Sequence, residues 1–159
     1  MKKEDKTNVC RILDAAGVKY TMFEIETDKA LSGTEIALRL GFPPERTFKT
    51  LVTAAPSKKH YVFAIPSGTE LDLKKAARSV GEKSVAMLHV KDINQVTGYI
   101  RGGCTAIGMK KQFPTVIHES AAGLPEMIVS GGRLGEQIIL KPEDLCKVTG
   151  GKFADIIRD

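Results

Sequence analysis

The sequence predicts an α+β fold: a mixed, largely antiparallel sheet that closes toward a barrel and is flanked by helices. Three observations point there. Helical and strand-like segments mix irregularly along the chain. Hairpin-length connections outnumber the long crossovers that parallel βαβ units need. The 159 residues suit one domain, and no repeat, low-complexity tract or linker divides them, so residues 1–159 read as a single unit.

Residues 8–16 set Val9, Ile12, Leu13 and Ala16 on one helical face, with Thr7 as cap and Gly17 where a helix-ending glycine belongs. Residues 18–25 alternate as a half-buried strand does, with Val18, Tyr20 and Met22 against Lys19 and Thr21. Ser32 and Glu35 have capping-box spacing and open a helix to Leu40, ended by Gly41 and the Pro43–Pro44 pair. Residues 47–54 and 60–65 read as two strands of a hairpin around the turn at 56–59. Residues 71–80 read as a helix with a buried stripe of Leu71, Leu73, Ala76, Ala77 and Val80. A short strand at 85–90 and a short helix at 91–97 follow, then strands at 113–118, 127–130 and 136–140. Pro142 starts a helix to Val148 with Glu143 and Asp144 in its first turn, and a last helical turn spans 153–157.

Composition excludes several classes. Aromatic residues make up 6% and tryptophan is absent, which argues against a base-stacking surface. The net charge of +5 and pI near 9.1 suit an anionic partner, yet an ordinary basic enzyme carries as mild an excess. Cys10, Cys104 and Cys146 are odd in number and widely spaced, so neither a disulfide framework nor a zinc knuckle is indicated. His60, His89 and His118 lack metal-ligand spacing, so no metal site is expected. The cations at the N-terminus have no apolar stretch behind them, and no apolar run nears the ~20 residues that span a bilayer. A cytoplasmic protein with reduced thiols and no membrane partner is expected.

The chemistry-bearing stretch is residues 98–111, where four glycines, Cys104, Thr105, Arg101, Lys110 and Lys111 fall within fourteen positions. Adjacent glycines such as Gly102 and Gly103 let a backbone approach a ligand closely, and their N–H groups can converge into an anion-binding concavity. A phosphate-binding P-loop is rejected, because the Gly-Lys-Ser/Thr ending is missing. Lys49 stands in the apolar strand Thr47-Phe48-Lys49-Thr50-Leu51-Val52, on the face of Leu51 and Thr53. It is either a solvated outer residue or a cation aimed into a cleft. Cys104 near Arg101 and Lys110 fits a lowered-pKa nucleophile, yet no histidine is tied to it by spacing. The turn at Val129-Ser130-Gly131-Gly132-Arg133-Leu134-Gly135 joins two strands and reads first as a hairpin turn.

An ordered set of motifs resembles the YbaK/EbsC family of aminoacyl-tRNA deacylases, whose domain also occurs as the editing insertion of bacterial prolyl-tRNA synthetases. The set runs through Gly33-Thr34-Glu35-Ile36-Ala37, Thr47-Phe48-Lys49-Thr50-Leu51-Val52, and Leu71-Asp72-Leu73-Lys74-Lys75-Ala76-Ala77. It continues through Thr97-Gly98-Tyr99, Gly102-Gly103, Ile107-Gly108, Lys110-Lys111, Ser130-Gly131-Gly132 and Leu140-Lys141-Pro142-Glu143-Asp144-Leu145. The resemblance implies hydrolysis of the ester that joins a mischarged amino acid to tRNA, most directly cysteine on the tRNA for proline. It implies a free-standing trans-editing factor that needs no cofactor, acts on aminoacylated tRNA rather than DNA, and works beside a prolyl-tRNA synthetase.

By the same resemblance Lys49 matches the functional lysine, and Gly102 the first glycine of the carbonyl-holding loop, with Gly103 beside it. Thr105, Ser130, Gly131 and Asp144 fall in substrate-contacting segments, and Lys58, Lys59, Lys110 and Lys111 are the expected phosphate contacts of the tRNA body. The family's Gly-Gly-Ile-Ser-Pro reads Gly102-Gly103-Cys104-Thr105-Ala106 here. Losing that proline frees the loop and restores an N–H, which bears on amino-acid preference rather than on the reaction. Two other classes fit the same residues: a non-catalytic module that binds tRNA or a synthetase, and a thiol hydrolase built on Cys104.

Overall fold

The computed structural model describes residues 7–27, 31–100 and 103–159, which hold five α-helices and eight strands. Helix α1 (Asn8–Ala15) begins where Thr7 Oγ1 accepts the Cys10 N–H at 3.3 Å, and it buries Val9, Cys10 and Leu13. Strand β1 (Tyr20–Glu24) follows, and α2 (Gly33–Leu40) opens on a complete Ser32–Glu35 capping box. Strands β2 (Phe48–Ala54) and β3 (His60–Pro66) form the expected hairpin, paired from Phe48↔Pro66 to Ala54↔His60.

Helix α3 (Leu73–Ser79) is capped by the Asp72 carboxylate, which accepts the N–H groups of Lys74 and Lys75. Then come β4 (Ala86–Met87), α4 (Val90–Thr97), β5 (Thr115–His118), β6 (Met127–Ser130), β7 (Glu136–Leu140), α5 (Pro142–Thr149) and β8 (Lys152–Ala154).

The strands lie in two sheets. One has the order β1-β7-β6 and is antiparallel throughout. The other has the order β4-β2-β3-β5-β8; β2 runs antiparallel to β3 and β4, whereas β5 runs parallel to β3 and β8. A lone parallel bridge, Thr47↔Ile128, links the two sheets. The α+β class and the mixed sheet are as expected, but no closed barrel is found among the described residues.

Two large cores hold this frame. Val9, Leu13, Ile107, Ile138, Leu140 and Leu145 fill the space under α1 and α5, while Phe63, Ile65, Ala76, Ala77, Val116 and Ile156 pack α3 on the five-stranded sheet. Each of these side chains larger than alanine contributes about 1.5–3 kcal/mol of burial. A smaller cluster of Val52, Val62, Ala106, Met109 and Phe113 anchors the segment after the glycine-rich loop.

Three expectations are corrected. The helical turn at 153–157 is instead strand β8, paired in parallel with β5 through Ile117↔Phe153. Phe153 packs on the first core and Ile156 is buried in the second; residues three apart lie on one face of a helix but on opposite faces of an extended chain. Leu73 is exposed rather than buried, because α3 starts at that residue, and Leu71 lies before the helix in a bridge to Ile157. Within the expected strand at 85–90 only Ala86–Met87 pairs, and Val90 opens α4.

His118 locks the C-terminal strand. Its Nδ1 accepts the Ile156 N–H at 3.3 Å, and Asp155 Oδ1 lies 3.9 Å away. Burial pushes the imidazole below its ordinary pKa of 6.5, assisted by Lys75 and opposed by Asp155 and Glu119. The folded chain therefore binds this proton less readily than the unfolded chain. The stabilisation is complete above pH 6.5 and is lost as the pH falls through that value. The denaturant midpoint should drop between pH 7.5 and 5.5, and His118→Gln should flatten that slope.

Candidate functional site

Strand β2 is paired with β3 along its whole length but with β4 only at Thr53 and Ala54. Its other edge at Phe48–Thr50 therefore faces the gap between the sheets. A cleft of about 140 Å³ opens there, just past the Thr47–Ile128 bridge. Leu31, Ile36 and Phe48 give it an apolar wall, while Thr47, Lys49, Ser67, Ser130 and Gln137 give it polar groups. Cys104 reaches it from the glycine-rich loop. The volume suits one small amino acid better than a large ligand.

Lys49 is half-buried, and no hydrogen-bond or ion-pair partner is found for it among the described residues. It lines the cleft, which favours the second of the two readings open to it. Cys104 lines the same cleft, and burial pushes its thiol up to about 11, so it stays protonated at neutral pH. None of the histidines lines the cleft: His60 meets Phe113 edge-on, His89 precedes α4, and His118 is tied to Ile156. A half-buried neutral thiol without a base is a poor nucleophile. Cys104→Ala should keep turnover within about threefold of wild type, whereas a cysteine hydrolase would lose it entirely.

Gly103 is buried against the turn between β6 and β7. A Cβ there would lie 3.3 Å from the Gly132 carbonyl oxygen and 3.4 Å from Arg133 Cα. Its N–H donates to the Ile100 carbonyl at 3.0 Å, so this amide closes a turn instead of facing a substrate. Gly102 lies outside the described residues. The next amides, of Cys104 and Thr105, have no partner among the described residues. The Thr105 side chain is buried behind the cleft with its Oγ1 unpartnered. Ala106, at the family's proline position, is buried in the Val52–Met109 cluster.

Ser130 is at the cleft, where its Oγ also accepts the Gly132 N–H at 3.3 Å. Gly131 lies behind it: its N–H donates to the Glu136 carbonyl, and a Cβ there would come 2.8 Å from Glu136 Cγ. Glu136 is buried and pairs with Arg133 Nε at 2.9 Å; burial pushes its carboxyl up while Arg133 draws it down. Asp144 is not at the cleft. It sits in the first turn of α5, beyond the Leu140 end of β7, whereas the cleft residue Gln137 is near the other end.

Lys58 and Lys59 are exposed in the β2–β3 turn, ~20 Å along the strand from Lys49. Lys110 and Lys111 are exposed beyond the loop, with Lys110 Nζ donating to the Gln95 carbonyl at 3.5 Å. These four can touch only parts of a long substrate that lie outside the cleft. A larger hollow of about 460 Å³ between Glu24–Thr27 and Arg133–Glu136 presents three carboxylates against one guanidinium, the wrong sign for a polyanion. No group of three or more His, Cys, Asp or Glu side chains able to hold a metal occurs among the described residues. No helix there is long and apolar enough to cross a membrane.

Ser67, Gln137 and Thr47 join the cleft without having been singled out as site residues. Thr47 neighbours Lys49 in sequence, but Ser67 and Gln137 are brought in by tertiary packing and carry no local signal.

Residues 28–148 match the family model described as the aminoacyl-tRNA editing domain, which covers most of the chain and all of the cleft. The chain belongs to the aminoacyl-tRNA editing domain family. A curated relative in Enterococcus faecalis (strain ATCC 700802 / V583) is 46% identical over 98% of this chain and 95% of its own length. Its name, EbsC, is put forward as that of a Cys-tRNA(Pro)/Cys-tRNA(Cys) deacylase. The editing-domain fold recurs in a crystal structure put forward as a trans-editing enzyme for prolyl tRNA synthetase. That structure is 24% identical, with a TM-score of 0.83 over 96% of this chain and 99% of the other. A hypothetical protein, APE2540, shares the fold at 21% identity and a TM-score of 0.86 over 96% and 100% of the two chains.

Proposed function

We propose that this editing-domain protein hydrolyses the ester bond of Cys-tRNA(Pro), acting in trans beside a prolyl-tRNA synthetase in the cytoplasm. Membership of the editing family and 46% identity to EbsC support a deacylase. The single observation that carries the mechanism is Lys49, an ammonium in a small cleft with the glycine-rich loop at its wall, where neither the ammonium nor the Cys104 and Thr105 amides have a partner among the described residues.

An aminoacyl ester is already activated, so the site has to hold charge and position an attacker. With the Gly103 amide engaged in its turn, the amide of Cys104, whose residue lines the cleft, and that of Thr105 next to it serve as donors for the developing oxyanion. A well-placed donor of that kind contributes roughly 3–4 kcal/mol. Lys49 steadies the same negative charge.

The attacker is the substrate's own thiol. Its sulfur bonds to the ester carbonyl carbon, the carbon–oxygen bond to the ribose breaks, and the thiol proton ends on the ribose oxygen. Water then opens the cyclic thioester to free cysteine. Enforced proximity lowers such an intramolecular barrier by several kcal/mol, which relieves the protein of providing a base.

Purified protein incubated with cysteinyl-, alanyl-, prolyl- and seryl-tRNA should release cysteine fastest. Equal rates for cysteine and alanine would remove the substrate thiol from the mechanism. Binding to the tRNA body should weaken as salt rises, and Lys58, Lys59, Lys110 and Lys111 to alanine should reduce that salt slope.

A further inference from the structure

We propose that the α2 end of the cleft is a separate anion subsite, built to hold the phosphodiester next to the terminal nucleoside of the tRNA. This rests on reading the cleft as a tRNA-editing site. Gly33, the first residue of α2, lines the cleft, and a Cβ at that position would fall 2.0 Å from Ser67 Oγ and 3.1 Å from Thr47 Cγ2. Only glycine lets the helix start come this close to Ser67 and Thr47.

The helix leaves donors there. Ser32 Oγ takes the Glu35 N–H, and the Ser32 carbonyl takes the Ile36 N–H, which leaves the N–H groups of Gly33 and Thr34 without an intrahelical acceptor. The Glu35 carboxylate is turned back onto Ser32, its N–H and Oγ, on the exposed side of the cap. The positive end of the helix dipole adds to these donors.

An independent observation comes from Thr47. It is 2% exposed, it lines the cleft, and its Oγ1 has no hydrogen-bond partner among the described residues. A buried hydroxyl without a partner is costly to keep, and each such group calls for an explanation. Ser67 Oγ, in contact range of the same helix start, likewise has no partner among the described residues. The Thr47 and Ser67 hydroxyls and the Lys49 ammonium thus line one cleft with Gly33, whose amide and that of the next residue, Thr34, have no partner among the described residues.

The arrangement also sets direction. Thr47 lies at the α2 end of β2, Lys49 follows, and Cys104 packs on the cluster that includes Val52 further along the strand. A phosphate at α2 places the aminoacyl ester over Lys49 and the amino-acid side chain toward Cys104.

The test uses the whole protein and the dinucleotide cytidylyl-(3′→5′)-adenosine, with adenosine as the arm lacking a phosphate and inorganic phosphate as the arm lacking a nucleoside. The dinucleotide should shift the backbone amide resonances of Gly33, Thr34 and Ser67, in a salt-dependent manner. Inorganic phosphate should shift the same amides more weakly, and adenosine should leave them in place. Thr47→Val should weaken dinucleotide binding at least fivefold while its melting temperature stays equal or rises, since an orphaned hydroxyl is removed. The subsite is overturned if adenosine moves those amides as far as the dinucleotide does, or if Thr47→Val binds like wild type. A protein that passes this test yet releases no amino acid from any tRNA would refute the deacylase reading alone; one that deacylates but fails it would refute the subsite alone.

Discussion

Replacing Lys49 by alanine should lower kcat/KM for cysteinyl-tRNA by ~10²–10³-fold, the loss seen when one preorganised charge-stabilising group is removed from a transition state. The melting temperature should barely move, because the ammonium has no ion pair among the described residues. Lys49→Met separates charge from bulk: it keeps an aliphatic side chain of similar length but has nothing to offer an oxyanion. If methionine restores the rate, the side chain acts by filling space. If alanine unfolds the protein, Lys49 is structural. Single-turnover rates beside thermal melts decide between these outcomes.

Gly135→Ala should be the most destabilising single substitution in the turn behind the site. Gly135 has φ +79, where a side chain costs about 1–2 kcal/mol. Its Cβ would also fall 2.2 Å from the Ile25 carbonyl oxygen, in a backbone that cannot give way without loss. The Gly135 carbonyl accepts the Ile25 N–H at 2.7 Å, so the adjustment would strip a hydrogen bond from the β1–β7 junction. A total loss of about 3 kcal/mol or more follows, a large share of a domain's usual 5–15 kcal/mol. Gly41→Ala is the control: φ there is +76, but nothing lies within 4 Å of the added carbon. It should cost only the backbone strain. Equal denaturant midpoints for the two variants would mean that the turn relaxes around the clash.

Much of the fold was legible because its signals are local. Thr7, Ser32 with Glu35, and Pro142 mark helix starts through chemistry confined to one turn of chain, and all three mark real helices. The strands at 127–130 and 136–140 were visible as apolar runs between turn residues. The segment at 153–157 misled because Phe153 and Ile156 serve different cores, and a spacing of three carries no record of that. Leu73 misled for a related reason: periodicity finds a stripe but does not say where a helix starts.

At the site, Lys49 stood out as a cation in an apolar strand. Ser67 and Gln137 did not, since a lone serine or glutamine becomes notable only when packing brings it to a cleft. Nor did spacing show that the Gly103 amide bonds to Ile100; that depends on how the loop turns.

The bridge between Thr47 and Ile128 has a consequence for selectivity. Beside that rung the two sheets share one core, in which Phe48, Ala64 and Ile117 of the five-stranded sheet pack with Met127, Val129 and Ile138 of the three-stranded one. Widening the space for a guest residue means parting side chains of that common interior. Discrimination against bulky residues is then tied to the stability of the whole molecule: each added methylene meets more opposition, and a variant loosened enough to admit larger guests should also melt earlier.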